Sequence, residues 1–114
     1  MRYTKTKNIY KISRFKSLHE SNILGVSFSD NDKDKIEIIQ WELSQKKEIL
    51  TSKAEVLEQV TLGLKLVNKS LNTSYKLSKI YFVASDSPNN SVYTLLISKL
   101  IRYYHSGKKF EESN

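Results

Sequence analysis

Between Ser52 and Ala84 one hydrophobic rhythm gives way to another, and that change constrains the fold more than any other part of the chain. Leu57, Val60, Leu64, Val67 and Leu71 recur at spacings of three and four residues, which places them on one face of a helix. Ser52 and Glu55 form an S-x-x-E pattern at its start, where each side chain satisfies a backbone donor that the first turn leaves open. The helix is expected to end near 70–74, and Gly63, without a side chain, allows it to approach the sheet closely. Ile80–Ala84, IYFVA, is apolar on both faces, the pattern of an interior strand. A long helix between two strands lets the second join the sheet parallel to its neighbour, through a right-handed crossover.

Upstream, Asn8–Phe15 mixes β-branched and aromatic residues with bases and reads as an edge strand. In Ile23–Phe28 the two-residue period puts Leu24, Val26 and Phe28 on one face, and in Ile36–Leu43 it groups Ile39, Trp41 and Leu43. The turn-forming run SDNDKDK separates these two strands. Its alternating Asp30, Asp32 and Asp34 do not form a calcium loop, because Lys35 stands where the sharp turn needs glycine and Trp41 where a bidentate acid is needed. Downstream, Asp86-Ser87-Pro88 supplies caps and a first-turn proline for a second helix. Val92, Leu96, Leu100 and Tyr103 or Tyr104 line its buried face, and Gly107 terminates it.

These elements predict an α+β fold: a two-layer sandwich of order β-β-β-α-β-α, with a mixed sheet containing an antiparallel meander. The 114 residues make one domain, 1–114, closing in a short polar tail at 108–114. Cysteine is absent, so disulfides, thiolate chemistry and sulfur-ligated zinc are excluded. No apolar span of roughly 20 residues occurs and the first residues carry charges throughout, which leads to the expectation of a soluble cytoplasmic protein without a membrane partner.

The net charge of +7 is unevenly spread: residues 1–16 hold six bases and no acid, residues 17–64 are net −4 and residues 65–110 net +7. Only Arg2, Arg14 and Arg102 among the bases are arginine, which weakens the case for a dedicated nucleic-acid reader. Neither histidine marks a metal site: His19 lies in a polar connection, and His105 sits where the end of a helix favours a cation.

The order of elements resembles the front part of the ribonuclease H-like fold, which opens with a three-stranded meander, a helix, a strand and a second helix. Glu55 in TSKAEVLEQV and Asp86 in VASDS match positions at which that family places metal-holding carboxylates. The resemblance implies those two as candidate ligands for divalent ions in nucleic-acid cleavage. The first strand, however, carries Lys11 and Arg14 where the family has an acid, and the chain stops before the family's later elements. Two carboxylates are too few to fix a pair of metal ions and a water.

The expectation is therefore a non-enzymatic protein-binding module, with no catalytic residues, metal or cofactor, of the kind represented by toxin-neutralising immunity proteins and inhibitors. The expected partner is another protein, with a homodimer as a further arrangement. Tyr3, Tyr10, Tyr103 and Tyr104 are the candidate anchors, with Tyr75 and Tyr93 as further tyrosines, and Lys7, Arg14, Lys99, Arg102 and Lys108 supply charge. The alternative is nucleic-acid binding on a degenerate ribonuclease H-like scaffold, with Lys5, Lys11, Lys16 and Lys109 extending the basic surface and aromatic rings stacking bases.

Overall fold

In the computed structural model, which describes residues 1–17, 20–30, 35–41, 52–83 and 91–112, Ser52 opens the first helix, α1 (Lys53–Leu71), as its spacing predicts. The Glu55 N–H donates to Ser52 Oγ at 3.2 Å, and that hydroxyl donates to Glu55 Oε1 at 3.2 Å. At the other end Asn72 takes the left-handed conformation (φ 56°), and the Thr73 N–H closes on the Asn68 carbonyl at 2.9 Å. The Asn68 side chain then fixes the exit: its Oδ1 accepts from the Tyr75 N–H at 3.0 Å and its Nδ2 donates to the Tyr75 carbonyl at 3.0 Å. The chain leaves α1 at a set angle into a strand.

Among the described residues, six strands form one sheet: β1 (Arg2–Thr6), β2 (Ile9–Ser17), β3 (Glu20–Phe28), β4 (Glu37–Trp41), β5 (Leu77–Val83) and β6 (Glu111–Glu112), in the order β4-β5-β3-β2-β1-β6. The second helix, α2 (Val92–His105), ends in a turn at Gly107 (φ 77°), whose N–H donates to the Tyr104 carbonyl at 3.2 Å. The fold is a mixed α+β sandwich with an antiparallel meander and, among the described residues, two helices. None of the described helices is long and apolar enough to cross a membrane.

The meander is made of different strands from those expected. β1, β2 and β3 pair antiparallel in succession, whereas β4 lies parallel to β5, which separates it from β3. Helix α1 is the connection between the parallel neighbours β4 and β5. Residues 108–112 are likewise more than a polar tail: Phe110 is 8 % exposed, and Glu111 and Glu112 pair in parallel with Thr4 and Lys5.

Strand register sorts side chains onto two faces. Tyr3, Tyr10, Ile12, Leu24, Val26, Ile80 and Phe82 share the face on which both helices pack. On the opposite face Trp41 stacks on Tyr81 with ring centroids 5.3 Å apart, and Gly25 lies under the indole, where a β-carbon would stand 2.7 Å from the ring. The two helices fill the layer differently. From α1 the buried residues are Val56, Val60, Gly63 and Val67; from α2 they are Val92, Tyr93, Leu96, Ile97, Leu100 and Ile101. Gly63 does permit a close approach, but to α2 instead of the sheet: a β-carbon there would lie 2.4 Å from Ile97 Cγ2 and 2.6 Å from the Thr94 carbonyl oxygen.

Candidate functional site

The residues that sequence reasoning nominates divide between two places. Tyr3, Tyr10, Tyr103, Tyr104 and Lys108 come together where β1, β2 and the end of α2 meet. Lys7 occupies the tight turn between β1 and β2, with φ 55°, and is exposed. Arg14 is half-buried on β2, paired across the ladder with Asn22. Lys99 and Arg102 lie on the exposed side of α2, where Arg102 donates to Ser70 Oγ of α1 at 3.0 Å. Tyr93 is 1 % exposed and belongs to the core, so it is no surface anchor.

At the first place the rings pack chiefly on one another. Tyr3 stacks on Tyr103 (centroids 3.8 Å, 4° between planes), and Phe110 meets Tyr3, Tyr10 and Tyr103 edge-on at 6.1, 5.1 and 4.9 Å. Tyr104 lies against Tyr10, Phe28 and Tyr75, and the Tyr75 hydroxyl pairs with His105 Nδ1 at 2.8 Å. The strap after α2 is tied in by the Tyr103 hydroxyl, which donates to the Lys109 carbonyl at 2.6 Å, and by the exposed Arg2–Glu111 ion pair at 3.1 Å. Burial, reinforced by the neighbouring Tyr103 ring, raises the Tyr3 phenol above its ordinary value of 10.0. Tyr104 is raised for the same first reason, aided by Tyr10 and Tyr75 and opposed by Lys5. Both stay neutral hydrogen-bond donors across the physiological range.

Beside this cluster opens a concavity of about 300 Å³, lined by Lys5, Tyr10, Tyr104, Gly107, Lys108, Lys109, Phe110 and Glu112. Phe110 could not be assigned to it from the sequence, because a single aromatic in a run of charges carries no periodic signal.

The second place is the outer surface of the helical layer. Leu62 is 50 % exposed, Leu66 54 % and Leu95 42 %. Leu62 and Leu66 stand one turn apart on the exposed side of α1 and Leu95 on the exposed side of α2, while the two helices touch through Gly63, Thr94 and Ile97. A second tie at that crossing runs from Thr94 Oγ1 to the Gln59 carbonyl at 2.9 Å. Lys65 and Lys69 of α1 and Lys99 and Arg102 of α2 are all exposed, and the C-terminal halves of both helices contain no acid. Sequence reasoning missed these leucines because Leu62, Leu66 and Leu95 fall off the predicted apolar stripes; that misfit was itself the available signal.

Of the two carboxylates named by resemblance, Glu55 is engaged in the cap of α1, while Asp86 and its proposed capping of α2 lie outside the described residues. His19, Asp32, Asp34 and Leu43 also lie outside them. Among the described residues no three His, Asp or Glu side chains are grouped closely enough to hold a metal ion. Comparison with protein-family models, curated proteins and solved structures gave no match.

Proposed function

We propose that this protein is a non-enzymatic binding module that acts in the cytoplasm by engaging another protein, in the manner of an inhibitor or toxin-neutralising immunity protein. One observation carries the reading: three leucines, each 42–54 % exposed, stand on the outer sides of α1 and α2, the helices that also carry the exposed cations Lys65, Lys69, Lys99 and Arg102. Large aliphatic side chains left in water on a surface already rich in charge mark a place where apolar area is to be covered. Complementarity selects the occupant, an acidic protein surface carrying apolar side chains that seat between Leu62, Leu66 and Leu95. The surrounding lysines would speed encounter, and the leucines would supply the slow-dissociating contact.

The test is affinity capture with the wild-type chain and with the double variant Leu62→Asp/Leu66→Asp, each competed with bulk RNA. A binding partner of acidic isoelectric point that survives RNA competition and is lost with the double variant supports the proposal. Retention of salt-sensitive RNA binding without any specific protein capture overturns it. So does sedimentation showing that the wild type self-associates and the variant does not, since the face would then be covered by a second copy.

A further inference from the structure

The concavity at the other end of the molecule has a different chemistry from the helix seam. Its lining brings three ammonium groups, Lys5, Lys108 and Lys109, against one carboxylate, Glu112, and adds the rings of Tyr10, Tyr104 and Phe110. Two of the cations are already parked on aromatic faces: Lys5 Nζ lies 5.0 Å from the Tyr10 ring centre and Lys108 Nζ 5.9 Å from that of Tyr103. Such placement holds the charges near the rings at little entropic cost. The three cations come from two adjoining segments, strand β1 and the strap after α2, which pair through Thr4 with Glu111 and Lys5 with Glu112.

A volume of about 300 Å³ exceeds what a bare oxyanion fills and lies at the lower end of the usual range for small-ligand sites. Three cations against one carboxylate match a dianion better than a single carboxylate, and the aromatic lining offers a surface to a flat ring. We propose that this concavity binds a nucleoside phosphate, with Lys5, Lys108 and Lys109 on the phosphate and the base against Tyr10, Tyr104 and Phe110. The ligand chemistry is the same in a free nucleotide and at the phosphorylated end of a single strand. This site is independent of the leucine surface, so each can fail without the other.

The proposal is tested by following amide chemical shifts of the full chain during titration with adenosine monophosphate, adenosine, inorganic phosphate, and a short oligonucleotide with and without a 5′-phosphate. Saturable shifts confined to residues 5, 10, 104 and 107–112 with the monophosphate, at least about tenfold weaker with adenosine or phosphate alone, are expected; tenfold corresponds to about 1.4 kcal/mol. Lys5→Ala/Lys108→Ala, at one half-buried and one exposed position outside the apolar core, should weaken binding by a similar factor and flatten its salt dependence. Tyr104→Phe, which keeps the ring, should retain most of the affinity. Tighter binding of the phosphorylated oligonucleotide assigns the ligand to a strand end, and the reverse assigns it to a free nucleotide. Absence of saturable shifts overturns the proposal, as does equal binding of inorganic phosphate and the monophosphate, or wild-type affinity in the double lysine variant.

Discussion

The two helices lie on the same sheet face and are built by opposite rules. Helix α2 buries Leu96, Ile97, Leu100 and Ile101, each at 0 %, whereas α1 buries three valines and a glycine and leaves two of its leucines half in water. A helix packed through small residues can bring its backbone close to a neighbour, and Gly63 against Thr94 shows that this is the role of the inner stripe of α1. Of its leucines, Leu64 and Leu71 pack in part against the core, whereas Leu62 and Leu66 stay half-exposed. The contrast separates side chains that hold the domain together from the exposed leucines on which the proposed recognition rests.

Three substitutions probe that contrast. The largest effect is expected at Leu96: cutting it to alanine empties a site fully enclosed by both layers, and denaturant unfolding should show a loss of about 2–5 kcal/mol. At the helix crossing, Gly63→Ala should destabilise by about 1–3 kcal/mol through overpacking, even though alanine raises intrinsic helicity by about 1 kcal/mol. The added methyl would meet the Thr94 backbone, which cannot rotate away as a side-chain end could. A stability gain in that variant would mean that α1 and α2 are not in close contact. Smallest is Leu66→Ser, which should leave unfolding within about 0.5 kcal/mol of wild type while abolishing partner capture. A loss of stability as large as that of Leu96→Ala would show that Leu66 is part of the core and would remove it from the recognition surface.

What the sequence made legible follows from which forces are local. The Ser52–Glu55 cap is a contact between residues three apart, and its first half forms as the pattern predicts, with the Glu55 N–H on Ser52 Oγ; the Glu55 carboxylate takes the Ser52 hydroxyl in place of a backbone donor. The unbroken apolar run of β5 matches an interior strand: β3 and β4 take its two edges, Ile80 and Phe82 face the helices, and Tyr81 on the other face is buried under Trp41. The stripe of α1 was read as Leu57, Val60, Leu64, Val67 and Leu71, but the helix is turned so that Val56 and Gly63 point inward; Leu57 is 36 % exposed. Hydrophobic spacing ranks large residues first, and only the approach of α2 makes a glycine the better packing position. Pairing was illegible for a related reason. RYTKT carries one large apolar side chain, Tyr3, so β1 owes its strand to its partners β2 and β6. Nor does any local pattern say that β5 will come between β3 and β4.

At the candidate sites, chemistry was partly visible and geometry was not. The tyrosines and lysines near both ends of the chain could be nominated individually, and Tyr3 with Tyr103, or Lys5 with Lys108, could be joined only by folding residues a hundred apart into one corner. Lys99 and Arg102, nominated beside them, fall on the other surface.

The pairing of β6 with β1 has a consequence for how the chain reaches its final form. Strand β1 precedes its partner β6 by about a hundred residues, so its outer edge gains that partner only once Glu111 and Glu112 have emerged. During translation that edge, with Tyr3 beside it still lacking Phe110 and Tyr103, stays open to other chains. Closure of this corner is a late, long-range step, and conditions that stall synthesis before residue 110 should leave a sticky, incompletely sealed intermediate.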